Sequence, residues 1–229
     1  MNVVMLSAAI RRTLGKNTTD LLGRELIAGD LDLGYYGVYT SAEVVSGTSL
    51  ATLVGLTAGS SINATANWLG FALGGKKLFI AQRPFRYRIS RESLAAKGLI
   101  YGKEITLQGK RFSCRLPRGL SSETPANYGS GNDHVSTHGS EWNKLLYRVT
   151  GGIGGVSGEG IPYGAWAQIS ETDMSTRGSY SRSHCMERAV NEVFAFRGES
   201  GGGVRYVSHV SLTNGTDAMV WRPVLELID

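Results

Sequence analysis

SEWNKLLYRV, the stretch from Ser140 to Val149, carries the clearest helical pattern in the chain. Ser140 has the chemistry of an N-cap, because its hydroxyl can accept a bond from an early helical N–H. Glu141 follows at the positive end of the helix dipole. The apolar side chains that share one helix face are Trp142, Leu145, Leu146 and Val149. The stretch predicts a short amphipathic helix that must bury this face against segments distant in sequence.

The composition is that of a folded globular protein. Of the 229 residues, 41% are hydrophobic and 19% are charged, which excludes a disordered chain. No apolar run approaches the ~20 residues of a membrane span, so we expect none. Two cysteines, Cys114 and Cys185, are too few for a disulfide framework. The sequence allows one bridge, but two unpaired buried thiols are at least as compatible with it. Assembly in a reducing cytoplasm fits such a low cysteine content.

Short runs of alternating apolar residues, separated by glycines, predict an α+β fold. We expect mostly short antiparallel strands, two or three short helices and long loops. Asn214-Gly215 predicts a hairpin turn. Residues 221–227 predict one closing strand, and residues 170–191 are expected to be irregular. Residues 31–229 form the predicted domain.

Residues 1–30 differ from the rest and predict an N-terminal extension for assembly. Asp20 is placed to cap a short helix over Leu21–Ile27. The segment is too small to fold alone, so we expect it to pack on the main body or on a neighbouring chain.

Positive charge is concentrated in one band of the sequence. Residues 76–118 contain 12 basic and 2 acidic side chains, whereas the whole chain carries a net charge of +5. Such a band can mark a nucleic-acid surface. It equally fits a solvated sheet face whose counter-charges come from a neighbouring subunit. We favour the second interpretation, because no stacking aromatics occur at the spacing of a known nucleic-acid motif.

No pattern in the sequence predicts a catalytic or metal site. The glycine clusters lack the strand and helix context of a phosphate loop, and no G-x-S-x-G elbow is present. The histidines lack the spacing of a zinc or iron site, so we expect exposed loop residues at His134, His138, His184 and His209. A calcium ion could bind loop oxygens of Asn132 and Asp133, or of Glu171 and Asp173, although no EF-hand spacing exists. We predict no catalytic residues, no metal ligands and no cofactor.

Three short motifs together resemble formylglycine-generating-enzyme-like domains, which have the C-type lectin-like fold. Arg115-Leu116-Pro117 and the Ser140-Glu141-Trp142 element resemble the RLP and EAEW elements of that family. Phe196-Arg197-Gly198 and Trp221-Arg222-Pro223 resemble its RGGSW and GFR ending. The same signature occurs in bacteriophage virion proteins, including tail-tip proteins of the major tropism determinant kind. The resemblance covers about residues 34–229.

The resemblance implies a C-type lectin-like domain in which the terminal strands are neighbours and Trp142 and Trp221 share one core. It implies that Arg115, Arg197 and Arg222 are ion-pair partners of Glu141. The family's close pair of cysteines before the C-terminal element is absent from this sequence. Without that pair there is no copper site, so we expect no oxidase activity and no enzyme.

The predicted function is that of a phage virion structural protein, most simply a tail fibre or tail-tip component that displays loops for a host receptor. We expect a homo-oligomer, such as a trimer, with other virion proteins and a host surface glycan or protein as partners. A head decoration protein, an enzyme of the formylglycine-generating type and nucleic-acid binding are the alternatives. The expected location is the virion, assembled in the host cytoplasm. The candidate ligand-binding residues are Asn132, His134, His138, Tyr180, Arg182, Arg205, Tyr206 and His209.

Overall fold

A computed structural model describes most of the chain in nine pieces: residues 19–120, 139–150, 166, 168–174, 182–188, 193–199, 203–211, 213–216 and 218–228. These residues form two sheets, mostly antiparallel, and a few short helices, which confirms the predicted α+β class. None of the described helices has the length and hydrophobicity needed to cross a bilayer.

The described strands, in chain order, are β1 Ala28–Gly29, β2 Leu33–Tyr39, β3 Ser60–Ser61, β4 Trp68–Leu73, β5 Lys76–Ala81, β6 Arg86–Tyr87, β7 Lys103–Leu107, β8 Lys110–Arg115, β9 Arg182–Arg188, β10 Val193–Glu199, β11 Gly203–Ser211, β12 Met219–Trp221 and β13 Val224–Leu227. The described helices are α1 Gly47–Val54, α2 Arg91–Ala95, the π-helix α3 Asn143–Tyr147 and α4 Glu171–Met174. Strands β4 and β5 meet at Gly74-Gly75, whose positive φ angles suit a tight hairpin turn.

The seven-stranded sheet has the order β1-β2-β4-β5-β13-β8-β7, and its central strands β4 and β5 are buried on both faces. Successive side chains of a strand point to opposite faces, and β5 shows the result. Leu78 and Ile80 pack in the cluster that contains α3, whereas Phe79 and Ala81 pack in the cluster that contains α1. This sheet therefore separates two hydrophobic cores.

Trp142 and Trp221 lie in different cores, so the expectation that they share one is wrong. The cause is the alternation along the extended chain: Trp221 points into the α1 core, whereas the guanidinium of the next residue, Arg222, lies 5.7 Å from the Trp142 ring. Both tryptophans are buried, with 1% and 0% of their surfaces exposed.

The six-stranded sheet has the order β11-β10-β9-β12-β6-β3. Strand β9 occupies part of the segment that was expected to be irregular, and that expectation is wrong. The hairpin predicted at Asn214-Gly215 is also wrong, because β11 and β12 are not neighbours. Strand β12 instead pairs in parallel with β9, through Met219 with Arg182 and Val220 with Ser183.

The C-terminal segment forms two strands rather than the single strand predicted. Strand β12 belongs to the six-stranded sheet, and β13 belongs to the seven-stranded sheet between β5 and β8. The chain changes sheet at Arg222-Pro223. Strands β4 and β5 separate β13 from β2, so the terminal strands of the domain are not neighbours, contrary to the expectation from the resemblance.

The described part of the N-terminal segment, residues 19–30, packs on the body of the domain. Asp20 is buried and accepts a hydrogen bond from the hydroxyl of Tyr39. Its carboxylate also accepts from the backbone N–H groups of Leu22 and Arg24, at 2.9 and 2.6 Å. These bonds close a turn, so the helix predicted after Asp20 is wrong.

The helix predicted from the Ser140 motif is confirmed. Ser140 Oγ accepts a bond from Asn143 N at 3.2 Å, which is the N-cap contact expected from the sequence. The apolar face is buried as predicted, at Trp142, Leu145, Leu146 and Val149. The centre of the segment is a π-helix rather than an α-helix, and the spacing of apolar residues does not distinguish the two.

Candidate functional site

A buried ion-pair network fixes the start of α3. Arg115 donates from Nη1 to Glu141 Oε1 at 3.0 Å and from Nη2 to Glu141 Oε2 at 2.5 Å. Its Nε donates to Glu226 Oε2 at 2.9 Å, and Glu226 also pairs with Lys76. Arg115 and Glu141 are almost fully buried. The ion pair between Arg115 and Glu141 predicted from the motifs is therefore confirmed.

The charges in this network stabilise one another. Burial alone would lower the pKa of Arg115, but the adjacent carboxylates of Glu141 and Glu226 raise it above its ordinary value. Burial would likewise raise the pKa of Glu226, but the bond from Lys76 and the charge of Arg115 hold it below its ordinary value. The network ties α3 to strands β8 and β13.

A second buried cluster holds the backbone of Gly119. Arg197 Nη1 donates to Gly119 O at 3.0 Å, and Arg197 Nη2 donates to Asn143 Oδ1 at 2.6 Å. The Gly119 N–H donates to Glu187 Oε2 at 3.0 Å. Burial raises the pKa of the Glu187 carboxyl to about 7. Arg197 was predicted to pair with Glu141, but these bonds join it to Gly119 and α3.

Arg222 does not pair with Glu141, and that prediction is wrong. Its guanidinium donates to the carbonyls of Ala81 and Met174, at 3.0 and 2.7 Å, and to Ser183 Oγ at 3.2 Å. Burial lowers the pKa of Arg222 to about 9. Gln82 O, next to Ala81, also accepts a bond, so the carbonyl partners come from two separate parts of the chain and the Ser183 hydroxyl comes from a third. Arg222 therefore joins β5, α4 and β9 where the chain changes sheet.

The residues that flank two long connections meet at the helix α3. Trp142 N donates to Arg118 O at 2.9 Å, which brings together the two ends of the segment 121–138. Trp166 N donates to Arg148 O at 2.9 Å, which does the same for residues 151–165. The structure describes neither segment itself. Each one nevertheless leaves and rejoins the framework at nearly the same point.

A polar cleft of about 420 Å³ opens beside the start of α3. Its lining includes the end of the β4–β5 hairpin and the chain on both sides of the segment 121–138. The charged and polar side chains relevant to binding are Asp32, Lys76, Arg118, Ser140, Lys144 and Glu226. This volume is typical of a small-ligand site. The cleft could not be predicted from the sequence, because its residues come from separate segments.

Four of the eight predicted binding residues lie outside the described residues: Asn132, His134, His138 and Tyr180. Arg182 is half-buried at the start of β9, and its guanidinium lies 5.3 Å from the ring centre of Phe196. Its backbone N–H donates to Ala218 O at 3.0 Å.

The other three predicted residues, Arg205, Tyr206 and His209, lie on the backbone of β11. Arg197 pairs with both Ser183 of β9 and Val207 of β11. The register therefore places Arg182 and Tyr206, which precede those partners, at the same end of the sheet. His209 pairs with Ala195, further along the strand.

Many cations of the basic band bind backbone carbonyls of the same chain. Arg86 donates to Ala58 O and Gly59 O at 2.7 and 2.8 Å, and Arg91 donates to the carbonyls of Cys185 and Met186. Lys103 donates to Val54 O at 2.9 Å. These side chains hold loops and strands together, which is a use of the band that the sequence did not predict.

Both cysteines are buried free thiols, and they lie in different hydrophobic clusters. Burial raises the pKa of Cys114 to about 12 and that of Cys185 well above its ordinary value. A thiolate is the form that attacks substrates and binds metals. Neither cysteine is suited to either role at neutral pH.

His184 is fully buried, so the expectation of an exposed loop residue is wrong for this histidine. Its Nε2 lies 2.8 Å from Ile89 O, and burial lowers the pKa of its imidazole to about 4. In the part of the chain that the structure describes, no three His, Cys, Asp or Glu side chains come together as a metal site.

Comparison of the chain with protein-family models, with curated proteins and with solved structures finds no match in any of the three. The chemistry of the site therefore has to be inferred from its own residues and contacts.

Proposed function

We propose that the chain is a structural protein of a bacteriophage virion, in which a C-type lectin-like scaffold displays loops that bind a host receptor. The tail fibre or tail tip is the location that this role favours. The observation that carries the proposal is the anchoring of two long polar segments, 121–138 and 151–165, on the same short helix. Backbone bonds at 2.9 Å join the ends of each segment.

The buried charges explain how such a scaffold would work. Arg115 and Glu141 fix the start of α3, and Arg197 connects α3 to Gly119. A binding loop loses less conformational entropy on contact when its ends are already fixed. The residue types of the two segments, rich in Ser, Gly, Asn, Tyr and His, are those of adaptable binding surfaces.

The lectin-like fold is supported by the meeting of the motif residues. Arg115, Glu141 and Arg222 come from three elements that are distant in sequence. Arg115 contacts Glu141, and the guanidinium of Arg222 lies 5.7 Å from the ring of the neighbouring Trp142. The position of β13 between β5 and β8 departs from the expected pairing of terminal strands.

The first experiment is mass spectrometry of purified particles from a host that carries this sequence. We expect the chain among the abundant virion proteins. Its absence from particles would overturn the proposal.

The second experiment is competition for host adsorption. Purified protein is expected to slow adsorption of the particles, and a variant with residues 121–138 replaced by a Gly/Ser segment of equal length is expected to lose this effect. Tyr101→Ser is the control, because Tyr101 is 65% exposed and does not line the cleft. A chain that is abundant in virions but does not compete would be a head decoration protein, the alternative within the same class.

Self-association is part of the proposal. Leu22 and Ile27 leave 42% and 59% of their surfaces exposed, and they lie in the packed part of the N-terminal segment. Exposed apolar side chains of this kind are common at contact surfaces. We propose that residues 1–18, together with these two side chains, make the contact in a homo-oligomer, such as a trimer, or with another virion protein.

A further inference from the structure

The cleft beside α3 contains two cations that have no partner among the described residues. Lys76, Arg115, Glu141 and Glu226 neutralise one another in the buried network. Arg118 and Lys144 line the same cleft, and no described carboxylate pairs with either side chain. Asp32 is the remaining acidic residue of the lining. Once the paired charges are set aside, the cleft carries a net charge of about +1, which suits an anion.

The hydroxyl of Ser140 provides a buried donor at the cleft wall. Ser140 is 2% exposed, and its Oγ accepts the N-cap bond from Asn143 at 3.2 Å. Because a hydroxyl accepts and donates independently, its O–H is still available to a ligand in the cleft. A donor so buried and so placed favours a ligand that presents oxygen atoms.

The remaining lining is suited to the ring of a sugar. Leu78 and Leu120 are buried and give one wall an apolar surface, against which C–H groups of a ring can pack. Asp32 is exposed, and its carboxylate can accept bonds from sugar hydroxyls. Gly74 carries no side chain, and a Cβ built there would meet no heavy atom within 4 Å, so this end of the cleft is open.

We propose that this cleft binds a carboxylate-bearing sugar, with Arg118 and Lys144 on the carboxylate and Ser140 and Asp32 on ring oxygens and hydroxyls. Arg118 is suited to the carboxylate because a guanidinium can donate two parallel bonds to it. The inference rests on the proposed function, since it names the chemical class of receptor that the scaffold would bind. None of the predicted binding residues on β9 and β11 is among the described lining of the cleft.

The test is a titration of the full chain, followed by the amide signals in ¹H–¹⁵N spectra at constant ionic strength. Three probes separate the parts of the proposed ligand: sodium glucuronate, glucose, which lacks the carboxylate, and sodium acetate, which lacks the ring. We expect glucuronate to shift the signals of Gly74, Gly139 and Ser140 at concentrations where glucose and acetate do not. Equal shifts with glucose, equal shifts with acetate, or no shifts with glucuronate would each overturn the inference.

Matched variants assign the binding to the cleft. Arg118→Gln and Lys144→Gln remove charges that make no described ion pair, and each is expected to weaken glucuronate binding about tenfold, as for loss of one charged hydrogen bond. Lys97→Gln is the control, because Lys97 is exposed and is not part of the lining. Unchanged glucuronate affinity in both cleft variants would contradict the proposed site.

The two proposals can fail separately. If glucuronate does not bind while the protein occurs in virions and competes for adsorption, only the carboxylated sugar is wrong. If glucuronate binds as expected while the protein is absent from particles, the virion function is wrong and the cleft is a sugar site in another setting.

Discussion

Replacing Gly119 by alanine should destabilise the protein at the base of the segment 121–138. A Cβ at this position would lie 2.5 Å from Cys185 Sγ and 2.9 Å from Arg197 Cγ. Both neighbours are buried, and Arg197 is held by its bonds to Gly119 O and Asn143. Neither neighbour can move aside without breaking contacts of β9 or β10.

The size of the effect follows from overpacking. Forcing an extra carbon into a well-packed interior costs about 1–3 kcal/mol. Alanine also reduces the conformational entropy of the unfolded chain. Where the native backbone is not strained, this effect offsets about 0.4–1 kcal/mol of the packing cost. Gly119 does not have a left-handed φ, so backbone strain does not add to the destabilisation by alanine. The net cost is then about 1–2 kcal/mol, and 1 kcal/mol lowers the Tm of a chain of this length by about 2–4 °C, so we expect a fall in Tm of roughly 2–8 °C.

Gly215→Ala is the matched control. Its Cβ would meet no atom closer than 3.4 Å, at Ser90 N, and its φ is also outside the left-handed region. We expect this variant to be as stable as the parent or slightly more stable, by calorimetry and by urea unfolding. Adding Cys185→Ala to the Gly119 variant removes the atom nearest to the new Cβ. The double variant should therefore lose less stability than the sum of the losses caused by the two single changes. Equal stability of the Gly119 and Gly215 variants would refute this reasoning.

Three further predictions address the core, pH and assembly. Trp142→Ala should lower the free energy of unfolding by about 3–5 kcal/mol, because the side chain is 1% exposed; an unchanged Tm would contradict this. Burial raises the pKa of Glu187 to about 7, so the folded state favours the protonated acid. The stability that this preference gives is fully present below the ordinary pKa and is lost as pH rises through 7. Glu187→Gln should therefore gain stability relative to the parent between pH 5 and 8, by up to about 3 kcal/mol in urea unfolding; a parallel pH dependence of the two proteins would argue against it. Removing residues 1–18 should reduce the oligomer measured by sedimentation, at low and high salt alike, because the removed contact is apolar; identical sedimentation of both chains would exclude an assembly arm.

The sequence predicted the local parts of the fold well. The cap at Ser140 and the apolar spacing after it lie within one short stretch, so local rules are sufficient to predict that helix. The Gly74-Gly75 hairpin was predictable for the same reason. The π-helical centre of α3 was not, because it depends on packing against residues distant in sequence.

Strand β9 shows why the remainder could not be predicted. Its residues Ser183, His184 and Glu187 are polar, yet all are buried. They contact Arg222, Ile89 O and Gly119 N, respectively, which belong to other parts of the chain. A local pattern of polarity cannot reveal partners of this kind. The polar residues of this segment therefore predicted an irregular, exposed stretch instead of a strand.

The candidate site was missed for a related reason. Arg118 and Lys144 look like ordinary surface residues in the sequence, and long-range bonds such as those from Trp142 N to Arg118 O and from Arg115 to Glu141 bring their stretches together. The predicted binding residues came from loop composition, which identifies accessible residues but not a cavity. Arg182 and Tyr206 share one end of a sheet through register, which composition also cannot predict.

The change of sheet at Arg222-Pro223 has a consequence for synthesis of the protein. Strand β12 is the only described link between β9 and β6, and β13 is the only described link between β5 and β8. Until both have been made, each sheet is two unconnected fragments with open edges. Both strands follow every other described strand in the chain, so neither sheet can close until they have been synthesised, and the edges of the earlier strands stay unpaired until then. Synthesis of β12 and β13 is thus the event that permits both sheets to close, and a chain truncated before Met219 should yield aggregate rather than a shortened domain.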